Sequence, residues 1–240
     1  MKFIPLKYIT EDPSVGNADS SEDAKVSTQL LYRLADDVKR ELADLSPGAA
    51  PLRRADLLLQ LGRTLVRLEK MPDAWEVARA AFDLYVADEA WEGAVQACDI
   101  LFLSEQVLSL AALGQGIWLA VTYPVDPELS VAILQHVVDE TPPEADGAAV
   151  AAITAHYIVD MRAVAPQRDH LLLYTNQLLA TVARRHSDVD SQPTFDKWLN
   201  DMELDNPARF LPRLRNVVDV LVQDDWWLDR EALQAKLPEQ

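Results

Sequence analysis

The sequence predicts an all-α protein of antiparallel helical hairpins, stacked as a solenoid-like array or an irregular bundle. Three observations carry this. Apolar residues recur at three- and four-residue spacing through most of the chain, the stripe of an amphipathic helix. Glycine is scarce, 7 of 240 residues, whereas turn-rich β folds and glycine-looped nucleotide folds depend on it. The breaks between helical segments are short and marked by Pro, Asp and Ser, which suits consecutive helices that pack as neighbours.

Taken in order, residues 1–24 read as a flexible acidic tail. Glu11 to Asp23 holds five acids, three serines, Pro13 and Gly16, too little apolar surface to offset the entropy of ordering. Within the tail, residues 2–9 (Phe3, Ile4, Leu6, Tyr8, Ile9) are apolar enough to dock as a short strand. Residues 25–240 read as a single helical domain, with a candidate sub-boundary at 141–147. From about residue 26 a helix carries Leu30, Leu31, Leu34, Val38 and Leu42, and Ser46-Pro47-Gly48 ends it. Pro51 opens the next, with Leu57, Leu58, Leu61, Leu65 and Leu68. Asp73 is expected to cap a third, with Glu76 completing an Asp-x-x-Glu box, and Asp88 is a further candidate cap. Helices follow at about 89–103, 105–122, 127–140, 147–163 and 169–186. Asp126-Pro127-Glu128 is a start signal: a side-chain acceptor, a proline suited to the first turn, and an acid that complements the helix dipole. A short helix with Phe195 and Trp198, one at 211–222 and one at 229–236 complete the chain.

One internal similarity stands out. Residues 73–84 and 89–100 match at an offset of 16, pairing Trp75 with Trp91, Ala78 with Ala94 and Ala81 with Ala97. This predicts two similar helices packed through small residues, with the tryptophans as equivalent anchors. Leu61-Gly62, followed by Ala74 and Ala81, resembles a tetratricopeptide unit over about residues 55–100. The resemblance implies an α-hairpin array and, by the habit of that family, protein binding.

Charge narrows the function. The chain has 39 acidic and 22 basic residues, a formal net charge of −17, which disfavours nucleic acid and anionic membranes as partners. No apolar stretch reaches the ~18 residues of a membrane span, and no signal peptide is legible. With a single cysteine, Cys98, a cytoplasmic location is the expectation. Between Arg79 and Arg162 there is no Lys or Arg, and those 82 residues hold 13 acids. Concentration at helix ends accounts for them, and so does an acidic surface that receives a basic segment.

Candidate chemistry is sparse. His136 with Asp139 and His156 with Asp160 are the candidate metal ligands. Their order reverses the Glu-x-x-His of di-metal bundles, so no metal or cofactor is assigned. Cys98 sits in an apolar helix and reads as packed rather than nucleophilic. Gly114-Gln115-Gly116 reads as a point of close helix packing. Asp224-Asp225-Trp226-Trp227 is the candidate partner-binding segment: adjacent residues on a helix point about 100° apart, so both rings can hardly enter one seam.

The expected function is therefore non-enzymatic: a protein–protein interaction module, acting as adaptor, scaffold or assembly factor. An acidic secretion-type or assembly chaperone is the alternative within that class. A helical metalloenzyme using His136, Asp139, His156 and Asp160 is the alternative outside it.

Overall fold

The computed structural model of the chain describes residues 21–46 and 50–237. They form eleven helices: α1 (Ser21–Asp44), α2 (Pro51–Arg67), α3 (Met71–Ala87), α4 (Trp91–Leu103), α5 (Ser109–Thr122), α6 (Pro127–Glu140), α7 (Asp146–Arg162), α8 (Gln167–Ser187), α9 (Gln192–Asp201), α10 (Pro207–Val222) and α11 (Arg230–Gln234). There is no strand among the described residues, and the expected segment at 2–9 lies outside them.

Consecutive helices pair as hairpins: α2 with α3, α4 with α5, α6 with α7. Helices α2, α4, α6 and α8 also touch in series and form one layer. The second layer holds α3, α5 and α7, with α10 packed on both α5 and α7. α1 packs on α2 through Leu31, Ala35 and Val38. Leu30 and Leu34 of the expected stripe are exposed instead. The central helices are apolar nearly all round, as burial on several sides requires. Residues from Ala111 to Ile117 of α5 and from Ala148 to Ala155 of α7 are buried without interruption.

Helix ends explain the boundaries. Asp126 accepts from the Glu128 and Leu129 N–H groups at 2.8 and 3.2 Å, the cap the sequence announces. Asn206 and Asp229 cap α10 and α11 in the same way. Asp73 does not cap: α3 opens two residues earlier at Met71, with Lys70 at the cap position and Asp73 inside the first turn. Asp88 likewise stands at the C-terminal end of α3, not at a start. α10 begins at Pro207 rather than 211, with Pro212 inside it.

The connections α2–α3 and α3–α4 are the same turn built twice. Lys70 N–H bonds Leu65 O at 2.9 Å and Ala90 N–H bonds Tyr85 O at 2.8 Å, while Glu69 and Glu89 bond the carbonyls of Val66 and Val86. This is the Schellman closure, which puts the residue after the C-cap in the left-handed region. Glutamate holds that position at Glu69 (φ 56°) and Glu89 (φ 54°), and again at Glu203 (φ 53°) after α9. In this glycine-poor chain these turns are made without glycine.

The turns fix the repeat. Helices α2, α3 and α4 open at residues 51, 71 and 91, an interval of 20. Ala74 is thus equivalent to Ala94, and Ala78 to Cys98. The offset of 16 is therefore not the structural one, and Trp75 and Trp91 are not equivalent anchors. Trp75 packs edge-on to Trp227 at 6.0 Å, whereas Trp91 stacks on Tyr123 at 4.2 Å.

Candidate interaction surfaces

In the first layer, side-chain hydrogen bonds join each helix to the next. Arg63 of α2 donates to Gln96 Oε1 of α4 at 2.6 Å. His136 Nε2 of α6 meets Asp99 Oδ1 of α4 at 2.7 Å. Tyr174 of α8 donates to Gln135 of α6, and Gln167 Nε2 of α8 donates to Glu128 at 3.2 Å. The result is a polar seam running across α2, α4, α6 and α8.

Asp99 is the least ordinary member. It is 0% exposed, and its Oδ2 has no hydrogen-bond partner. Burial of a carboxylate is costly unless cations stand close. One cation, Arg63, and one hydrogen-bonding imidazole, His136, answer it here. His136, whose ring also lies 4.6 Å from that of Phe102, donates to Oδ1 from Nε2. Arg63 is lowered from its ordinary range by its own burial, and the Asp99 charge acts in the opposite direction. Asp139, the acid that spacing places beside His136, is exposed, and the imidazole meets Asp99 of α4 instead. The signal for Asp99 was its setting, an acid between Ala97-Cys98 and Ile100-Leu101.

Of the 13 acids between residues 80 and 161, only Asp99 is buried, Asp126 and Glu128 are half-buried, and the remaining ten are exposed. They gather at helix ends and turns. Asp83 pairs with Arg79, Asp160 with Arg168, Glu89 with Lys236, and Asp146 with Arg213 and His186. Glu92, Asp139, Glu140 and Glu144 have no ion pair among the described residues. Burial, reinforced by Asp126, raises the Glu92 carboxyl above its ordinary range.

The arginines of the later helices are engaged with helix ends. Arg162 donates to the carbonyls of Ala120 and Val121 at 2.7 Å each, closing the C-terminus of α5. Arg185 does the same for Val138 of α6, and Arg213 for Met202 after α9. Arg209 and Arg215 pair with Glu203 and Asp219, both at 3.8 Å.

The four candidate metal ligands are not brought together. His136 is held by Asp99, and Asp160 is held by Arg168. His156 Nδ1 lies 3.0 Å from Thr175 Oγ1. Since the Thr175 hydroxyl donates to Leu171 O, its oxygen accepts from Nδ1–H. Burial lowers the His156 imidazole below its ordinary range. No cluster of three or more metal-ligating side chains occurs among the described residues. Cys98 is fully buried, and burial pushes its thiol up.

The C-terminal segment lies on the second layer. Trp226 packs edge-on to Trp118 of α5 at 6.3 Å and under the Arg230 guanidinium. Trp227 packs edge-on to Trp75 and Phe82 of α3, at 6.0 and 5.4 Å, with Arg79 over its ring. The two rings do point apart, each to a different helix. Asp224 and Asp225 are exposed. Gln115, 0% exposed, accepts from Trp227 N–H at 2.9 Å. Its two glycine neighbours explain the close approach. A Cβ on Gly114 would fall within 3.0 Å of Val222 Cγ2 of α10, and one on Gly116 would stand 2.8 Å from Cys98 Cβ of α4.

No family model, no curated protein and no solved structure matches this chain. What remains of the tetratricopeptide resemblance is the hairpin packing itself. Hairpins open at residues 51, 91 and 127, intervals longer than the 34 residues of that repeat.

Proposed function

We propose that the chain is a non-enzymatic protein–protein interaction module, an adaptor or assembly factor, that receives a basic partner segment on the layer formed by α2, α4, α6 and α8. The observation that carries this is the charge imbalance of α4 and α6. They contain no lysine or arginine, and they carry Glu92, Asp139 and Glu140 exposed and with no ion pair among the described residues. Exposed like charges on adjoining helices oppose the compact state and attract a counter-charged partner. The hydrogen-bonded seam beneath them supports the reading by holding the helices in fixed register, so that a partner meets a preorganised face. The chaperone alternative shares this surface and differs only in the partner's fate. For the metalloenzyme, the engagement of His136, His156 and Asp160 with other side chains counts against it.

The test is capture of partners by the tagged protein at low and high salt, beside a Glu92→Lys/Asp139→Lys variant. The proposal expects a basic partner held at low salt, released at high salt, and lost by the variant. Equal capture by both proteins would sink it.

A further inference from the structure

The second layer presents a different surface. Helices α3 and α5 do not pack closely on each other, and the segment after α10 meets both, Trp226 on α5 and Trp227 on α3. We infer that the cleft between α3 and α5 is a peptide-binding groove, occupied by the chain's own C-terminal segment, and that it takes in trans a partner segment bearing two adjacent aromatic residues behind carboxylates. This goes beyond the first-layer reading and stands whether or not that layer binds anything.

The occupant itself shows what the groove recognises. Gln115 reads main chain, not side chain. Its Oε1 accepts from Trp227 N–H at 2.9 Å, and its Nε2 lies 3.4 Å from Asp225 O. An amide addressing two backbone groups of a bound segment gives affinity independent of sequence, while pockets on either side supply specificity. The pockets here are aromatic. One takes Trp226 against Trp118, the other takes Trp227 against Trp75 and Phe82 under the Arg79 cation. Large rings in such pockets are the usual anchors of peptide recognition.

The occupant is held mostly by half-buried contacts: Trp226, Trp227, Leu233 and Leu237 pack against the core without being fully buried, and Arg230 pairs with Asp219 of α10 at 3.0 Å. From residue 223 to 237 only Leu228 is buried, and α11 buries no side chain. Its far end is held by the exposed pair Lys236–Glu89. Its near end is a strained joint: Gln223 has φ 53° and ψ −120°, a conformation that disfavours any residue with a Cβ. Helix α10, by contrast, buries Phe210, Leu214, Val218 and Val222. The segment can therefore leave the groove with α10 in place.

Hydrogen exchange on the intact chain tests release, and a labelled synthetic peptide of residues 222–237 tests binding in trans. The inference expects the Trp227 amide to exchange at least tenfold faster than core amides of α5 such as Leu119. It also expects a full-length Trp226→Ala/Trp227→Ala variant to bind the peptide at least tenfold more tightly than the unaltered chain, and to lose that gain when Gln115→Ala is added. Exchange of Trp227 only as fast as α5 would overturn it. So would a folded double variant that ignores the peptide, or a double variant that fails to fold, since the segment would then belong to the core. Partner capture by the first layer is unchanged by the double variant, so failure here and failure of that reading are separable.

Discussion

Gly116→Ala tests the claim that the layers are held at a spacing set by glycine. The added Cβ would stand 2.8 Å from Cys98 Cβ and 3.3 Å from Ile133 Cδ1. Carbon atoms rest about 3.5–4.0 Å apart, so the shortfall against Cys98 is close to 1 Å. Neither Cβ can turn away, because each is fixed to its backbone, and Cys98, Ile133 and Ile117 are all 0% exposed. Helices α4 and α5 must separate. Overpacking of this kind costs about 1–3 kcal/mol, and a rigid contact belongs at the upper end. Alanine returns ~1 kcal/mol of helix propensity. The net expectation is a loss of about 2 kcal/mol, or roughly 4–8 °C in Tm for a chain of this size. Gly62 and Gly147 are the controls. At Gly62 the nearest atoms lie at 3.3–3.5 Å, and at Gly147 they lie at 3.6–3.9 Å. Alanine should be nearly neutral at the first and stabilising by up to ~1 kcal/mol at the second. Urea unfolding followed by tryptophan fluorescence gives all three. A Gly116→Ala protein as stable as the unaltered chain would refute the packing argument.

Other perturbations bear on other parts of the account. Glu69→Gly and Glu203→Gly remove side chains from left-handed turn positions and should each stabilise by about 0.5–1 kcal/mol in the same unfolding assay. Cys98 should resist a thiol-reactive chromophore in the folded chain and react fully in denaturant, because it is buried and its thiol is pushed up. His156 holds its proton less well folded than unfolded, so its contribution is intact above pH ~6.5 and is lost as pH falls below that value. His156→Gln should therefore narrow the difference in stability between pH 7.5 and pH 5.5.

The elements were legible where one local signal decides them. Asp126-Pro127-Glu128 names its helix start from three residues, and the cap geometry follows it. The alanine-rich stretches likewise announced buried helices. The repeat was misread for a physical reason. Buried small residues recur about every four positions along a helix, so one such helix matches the next at any offset near a multiple of four. Offsets of 16 and 20 both satisfy this, and only the turns at Glu69 and Glu89 select 20. Those turns are hard to foresee because glutamate holds a position where glycine is the usual signal. The Asp99–His136 pair was not legible from spacing, since its members are 37 residues apart and meet only when α4 and α6 become neighbours. Trp226 and Trp227 pack against different helices from an irregular segment, not from the helix that the 100° argument assumes. Which helix each ring meets depends on α10 carrying the segment back across α5.

The proposed docking site for a basic partner is the pair α4 and α6, the two helices of the first layer that carry acids and no lysine or arginine. It is tested most directly by titrating the partner captured at low salt against the full-length chain and against Glu92→Lys/Asp139→Lys, with circular dichroism confirming that both are folded. The account expects affinity to fall at least tenfold in the variant and to weaken steeply with salt in the unaltered protein. Equal affinity for the two folded proteins, unaffected by salt, would contradict it.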